Sequence, residues 1–274
     1  VTAVIISRKG QTMNMKNPAI RAVLIFTIIM GVMSLVVMLT ASLSASSNSA
    51  AIDIDPDTIE LVQLGEPKEG DPIAIVDTSL GEFRFVLYPQ YCPNTVENFV
   101  TLAESGYYND TYVFNIEEGV YASAGAPSRD GSVGSGTNEK VKRELHQNLW
   151  PFKGAVCALN TSVDKSLKEK LFGGGTYFNG SRFALLNTIE FTDDIIQEMR
   201  DSSEYQDITN AFIEKGGIPN FSQQITIIGQ TYEGLDVVEA LSELDFENNG
   251  VYNIPKEDVK IVSVTISEYR SDAE

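Results

Sequence analysis

The sequence is poor in the residues that build metal sites and disulfide frameworks. It holds one histidine, His146, and two cysteines, Cys92 and Cys157, among 274 residues. A structural zinc site needs four Cys or His ligands at short spacings, so none is expected, and no other metal or cofactor signature takes its place. Two widely separated cysteines define no disulfide framework and read as free thiols. Positive charge is also scarce, with 20 Lys and Arg against 38 Asp and Glu and a net charge of −18. A field of that sign repels nucleic acid and anionic lipid head groups, which excludes them as partners and most simply marks a solvated surface.

Long apolar runs are scarce too. The one that is present, "AVLIFTIIMGVMSLVVMLTASL" from Ala22 to Leu43, carries no charge and is long enough to cross a hydrocarbon core. Arg8, Lys9, Lys16 and Arg21 precede it and every acidic residue follows it. Positive residues stay cytoplasmic, so the expectation is a cytoplasmic N-terminus over residues 1–21, a single-pass transmembrane anchor over 22–43, and a remainder outside the cytoplasm at the cell membrane. A cleaved signal peptide is the competing reading, weakened because neither Leu43-Ser44-Ala45 nor Asn48-Ser49-Ala50 makes a convincing small-x-small site. Residues 44–71 are Ser/Ala-rich and then acidic with prolines, and read as a flexible linker.

The pattern changes at Pro72. "IAIVDTSLGEFRFVLYP" is two alternating strands about a Ser-Leu-Gly turn. "CPNTVENFVTLAESGYY" places Val96, Phe99, Val100 and Ala103 at helical spacing behind Pro93, with Gly106 as the stop. "GYYNDTYVFNIEEGVYASAGAP" gives two more strands that turn at Glu117-Glu118-Gly119 and thin into alanines and Gly125. Further strands are expected at "GAVCALN", "SRFALLN", "QITIIGQTY" and "DVKIVSVTISEY", and a helix at "EGLDVVEALSEL". Two helical pieces, Phe191 to Arg200 and Tyr205 to Lys215, fall inside an insertion spanning 188–218. The fold class implied for 72–270 is mainly β, a closed antiparallel barrel capped by helices.

The order and spacing of these blocks resemble the cyclophilins, the barrel-type peptidyl-prolyl cis-trans isomerases, in a divergent, membrane-anchored bacterial form. The resemblance runs from about Ile73 to Tyr269 and rests on the first hairpin, "PNTVENFVTLAESGYYNDT", "KGAVCALN", "NGSRFALL" and "IIGQTYEGLDVVEAL", with "GGIPNFSQQ" similar to a Gly-Gly-x-Pro-Trp-Leu-Asp-Gly run of related bacterial sequences. It implies a groove that binds extended or proline-containing segments, and an isomerase (rotamase) role in protein folding.

The same resemblance exposes departures. Twisting an Xaa-Pro bond breaks amide resonance against ~18–20 kcal/mol, and the freed nitrogen becomes a hydrogen-bond acceptor. The family meets it with the arginine of its Phe-His-Arg-Val run; the matching run here is Val113-Phe114-Asn115-Ile116. Phe-Met-x-Gln becomes Val120-Tyr121-Ala122-Ser123, and the second Phe of Gln-Phe-Phe becomes Ala184. The tryptophan and leucine before Asp-Gly become Asn220 and Phe221, the pocket histidine falls on Ile225, and the alanine of Met-Ala-Asn on Leu159. Asn160, Phe183 and Gly125 match. The expected groove is therefore Asn115, Val120, Tyr121, Ser123, Asn160, Arg182, Phe183, Ala184, Phe221 and Ile225, without a confident catalytic residue. Arg182, at the family's groove-lining glutamine, reads either as a substitute donor or as the ion-pair partner of some carboxylate.

Three functions stay open on these residues: a proline-segment binder with weak or absent turnover, a full isomerase using Arg182, and a non-catalytic scaffold that uses the insertion as its contact surface. Other chemistry finds little support. Glu117-Glu118 and Asp193-Asp194 read as solvated charges or helix caps, the Gly-Ser-Val-Gly-Ser-Gly run from 131 lacks strand–turn–helix context, Cys92 reads as structural despite its place at a helix start, and His146 reads as an exposed loop residue.

Overall fold

A computed structural model describes residues 52–133, 137–166, 170 and 174–271. The larger of two compact units, Ala50–Lys165 with Gly175–Glu274, holds the barrel. The transmembrane span expected at 22–43, the N-terminal 1–21 and the first residues of the linker lie outside the described residues. Among the described residues no helix is long and apolar enough to cross a membrane.

Eight strands close the barrel: β1 (Pro72–Thr78), β2 (Gly81–Leu87), β3 (Thr111–Glu117), β4 (Tyr121–Ala126), β6 (Ala155–Asp164), β7 (Thr176–Leu186), β8 (Thr226–Glu233) and β11 (Lys260–Glu268). They pair in the order β4-β3-β11-β1-β2-β8-β6-β7, and β7 returns to β4 to seal the ring. All of these pairings are antiparallel. A short strand, β5 (Val141–Lys142), adds to β7, and β9 (Phe246–Asn248) pairs with β10 (Asn253–Pro255) as a separate hairpin. Closure leaves no long edge to aggregate.

Helix α1 (Pro93–Glu104) packs over β5, β7, β8 and β11, and α4 (Leu235–Ser242) over β2, β3, β4 and β7. Pro93 starts α1 where its missing N–H costs nothing, and the orphan donors behind it are met from afar: Glu144 accepts from the Thr95 N–H at 2.8 Å and the Asn94 N–H at 3.3 Å. Val96, Phe99, Leu102 and Ala103 turn into the core. There Phe99, Tyr108 and Phe183 pack edge to face or tilted, with centroids 5.1–5.9 Å apart. Both cysteines are buried and free, Cys92 at the start of α1 and Cys157 on β6, and burial pushes both thiols well above their usual range, so neither is a nucleophile at neutral pH.

The insertion forms α2 (Asp193–Ser202) and α3 (Gln206–Lys215). Asp193 and Asp194 sit in the first turn of α2 behind the Thr192 cap, and Arg200 sits in the last, each favourable to the helix dipole. Ile208, Ala211 and Phe212 of α3 bury against Trp150 and Phe152 in a second small core.

The flexible linker expected over 44–71 is described from residue 52, and its part from Ile54 to Gln63 instead lies along this core. Ile54, Ile59 and Leu61 pack on it, and the buried Gln63 amide donates to the Trp150 carbonyl at 2.9 Å and to Gln230 Oε1 at 2.8 Å while accepting from the Trp150 N–H at 2.6 Å. Asp and Pro content suggested mobility; the sparse apolar residues between them, meeting a surface made by the distant insertion, hold the stretch down.

Candidate functional site

A cavity of about 310 Å³ opens where β3, β4, β6 and β7 meet the turn at Pro219–Phe221 and the β9–β10 hairpin. Strand alternation selects its wall. Tyr121 and Ser123 of β4 face the cavity while Ala122 and Ala124 enter the core; Arg182 and Ala184 of β7 face it while Phe183 and Leu185 go inward. Two register shifts interrupt that alternation. One, between Val113 and Asn115, lets Phe114 and Asn115 line the cavity together; the other, between Ala158 and Asn160, does the same for Leu159 and Asn160. Phe221 and Ile225 complete the apolar end, and the ring of Tyr252 closes the other.

Eight of the ten residues expected in the groove therefore line one cavity. Two do not. Phe183 is 1% exposed, its ring held by Phe99 and Tyr108, because its neighbours on β7 take the outward positions. Gly125 keeps that ring in place: at φ +86° it leaves a space where a Cβ would lie 3.1 Å from both Phe183 and Tyr108. Val120 sits in the β3–β4 turn, packed against the core, with its carbonyl accepting from the Asn187 N–H at 2.8 Å.

Asn115 is not a spare polar group. Its Oδ1 accepts from the Asn253 N–H at 3.1 Å, tying β3 to the β9–β10 hairpin, and its side chain also hydrogen-bonds Tyr121. Burial raises the Tyr121 phenol above its ordinary range, and the bond from Asn115 only partly opposes this, so Tyr121 stays neutral at pH 7. Asn160 is exposed and donates through Nδ2 to the Gln224 carbonyl at 3.1 Å. The tilted Tyr121 and Phe221 rings, centroids 5.9 Å apart, form one wall.

Arg182 turns into the cavity. Its Nη1 donates to the Gly131 carbonyl at 2.9 Å and reaches Tyr252 Oη at 3.4 Å, and its Cζ lies 5.5 Å from the Phe114 ring centre. Among the described residues it makes no ion pair. Phe114, Tyr252 and Gly131 were absent from the expected groove. Gly131 was legible only as part of a glycine-rich loop; a Cβ there would lie 2.6 Å from the Phe114 ring, which is why the loop backbone can reach the guanidinium. Tyr252 arrives on a hairpin that no apolar alternation announces.

A larger concavity, about 900 Å³, lies between α1 and residues 138–145. Three of its charged groups are already engaged: Glu144 caps α1, Arg143 donates to the Gln224 carbonyl at 2.7 Å over the Tyr177 ring, and Lys140 pairs with Asp164. His146, expected as an exposed loop residue, is instead partly covered by the Tyr91 ring at 4.4 Å, and burial lowers its pKa.

Residues 73–185 match the family model described as cyclophilin type peptidyl-prolyl cis-trans isomerase/CLD. A Staphylococcus saprophyticus protein provisionally described as a peptidyl-prolyl cis-trans isomerase is 28% identical over 208 residues, covering 75% of this chain and 98% of that protein. A similarly described protein of Staphylococcus aureus strain USA300 is 28% identical over 204 residues, covering 74% and 95%. The crystal structure of a Cryptosporidium parvum cyclophilin type peptidyl-prolyl cis-trans isomerase in the presence of the dipeptide Ala-Pro superposes with a TM-score of 0.51 at 18% identity, over 71% of this chain and 98% of that one. A second structure of that protein gives 0.53 at 17% identity. Barrel closure, strand order and the family match over residues 73–185 agree: the chain has the cyclophilin fold and is similar to the cyclophilin type peptidyl-prolyl cis-trans isomerases.

Proposed function

We propose that the cavity binds extended, proline-containing segments of proteins outside the cytoplasm, near a membrane that the 22–43 run anchors, and that it turns Xaa-Pro bonds over slowly or not at all. A structural relative was crystallised in the presence of Ala-Pro, which supports the kind of ligand. The apolar end at Ala184, Phe221, Leu159 and Ile225 suits a proline ring, and Asn160 at its edge offers a backbone partner.

One observation carries the reading on turnover. At the position of the family's arginine, Asn115 is neutral, and its amide oxygen is already engaged by the Asn253 N–H at 3.1 Å. Losing one preorganised donor to a transition state costs about 2.7–4 kcal/mol, or ~10²–10³ in rate. Tyr121 is a neutral donor on the same wall and replaces only part of that.

The second reading, a full isomerase, is favoured by Arg182 lining the cavity with Asn160. A cis-trans exchange assay on an Ala-Pro peptide, with the full chain and its Arg182→Ala variant, separates the two. Turnover comparable with arginine-bearing cyclophilins, lost in Arg182→Ala, supports the second reading; slow or absent turnover with measurable binding supports the first. A scaffold role for the insertion has less to stand on, since Ile208, Ala211 and Phe212 of α3 are buried against Trp150 and Phe152 rather than presented outward.

A further inference from the structure

Arg182 is held as a clamp rather than as a solvated surface charge. One nitrogen, Nη1, is fixed by Gly131 and Tyr252, the plane rests near Phe114, and the buried Nε has no hydrogen-bond acceptor among the described residues. A guanidinium N–H removed from water without a partner is unfavourable, and an incoming anionic oxygen relieves that. Among the described residues no Asp or Glu lines the cavity, in a chain that carries 38 of them. Glu139 is engaged through one oxygen only, its Oε1 accepting from the Ser181 N–H at 3.0 Å while the buried Oε2 has no partner, and among the described residues it forms no ion pair with Arg182. The groove is thus a local positive point on a protein of net charge −18. The field around it repels acidic ligands in general, so attraction is confined to ligands that reach Arg182 itself.

Position adds a ruler. Arg182 and Ala184 are two residues apart on one face of β7, about 7 Å along the strand. A proline ring over Ala184 and Ile225 therefore places the guanidinium within reach of a side chain one or two residues away on an extended ligand. We propose that the groove selects proline-containing segments bearing an Asp or Glu within two residues of the proline, and that Arg182 is the specificity-determining residue. This rests on the proline-binding reading of the same cavity.

The test is a calorimetric or NMR titration of the full chain with capped peptides, acetyl-Ala-Ala-Pro-Ala-amide and acetyl-Ala-Glu-Pro-Ala-amide, together with the isomer carrying Glu after the proline. Caps remove the terminal carboxylate, which would otherwise supply the anion. One acidic peptide should bind about tenfold tighter than the neutral one, the scale of one hydrogen bond to a charged group. Arg182→Gln should bring the peptides to within about twofold of each other, and Arg182→Lys should keep part of the preference. Equal affinities in the unaltered protein, or a preference that survives Arg182→Gln, overturn the proposal. Failure of every peptide to bind overturns the proline-binding reading instead, and the proposal with it.

Discussion

The interior of the barrel and the groove on its surface come from the same strands, and consecutive residues belong to one or the other. Along β7, Phe183 turns inward onto Phe99 and Tyr108, and Ala184 beside it turns toward the groove. Inside, the aromatic that the family carries is kept; outside, the family's phenylalanine has become alanine. An inward side chain is constrained by every neighbour it touches, since interiors are packed nearly as densely as organic crystals. An outward one is constrained only by what it binds. Against the cyclophilin pattern that the chain resembles, groove positions differ where barrel positions match, as a shared fold with differing sites allows.

That contrast can be broken by stability measurements. Phe183→Ala should cost about 3–5 kcal/mol in denaturant unfolding, because it leaves a cavity among rings that cannot collapse into it. Ala184→Ser, on the same strand but at the groove, should cost less than about 1 kcal/mol. Equal losses at the two positions would dissolve the distinction. The stretch from 54 to 63 sharpens it further, since it belongs with the interior by the same criterion. Gln63→Ala leaves the Trp150 N–H and carbonyl without their partners and should cost about 2–3 kcal/mol.

The smallest effect concerns pH. His146 Nδ1 accepts from the Asn148 N–H at 3.2 Å, and Asn148 in turn accepts from the Glu60 N–H, so the neutral ring helps to seat the docked stretch. Burial lowers the His146 pKa in the folded protein. The unfolded chain therefore takes up a proton first on acidification. The contribution is complete above the ordinary histidine pKa of about 6.5 and is lost as pH falls through the lower folded value. Stability profiles of the parent and of His146→Phe should diverge between pH 7.5 and 5.5, the parent alone losing stability there. Since this is the chain's one histidine, parallel profiles would remove that link.

Much of the barrel was legible because its signals are local. Alternation in β1, β2 and β11, Pro93 before the apolar spacing of α1, and Gly125 within the small-residue run each specify their own surroundings. The docking of 54–63 was not legible, because Gln63 and Leu61 acquire meaning only when Trp150 and α3 are brought beside them. At the groove, aligned positions found Asn115, Tyr121, Ser123, Asn160, Arg182, Ala184, Phe221 and Ile225, the residues whose strand parity the resemblance supplied. Phe183 was misplaced by ignoring that parity, and Phe114 was missed because a bulge overrides it. Tyr252 was missed because its hairpin is short and polar, held by Asn115 and by Arg129, which donates to the Pro255 carbonyl at 2.7 Å.

The account turns on position 115, where Asn stands in place of the cation that the cyclophilin resemblance implies, in a groove proposed to bind proline-containing segments. Asn115→Arg tests it directly, by measuring cis-trans exchange of a saturating Ala-Pro peptide against the parent protein. A rise of at least about tenfold, part of the ~10²–10³ that such a donor supplies, is the expected result. A variant that folds and binds the peptide as the parent does, yet exchanges it no faster, would contradict the account.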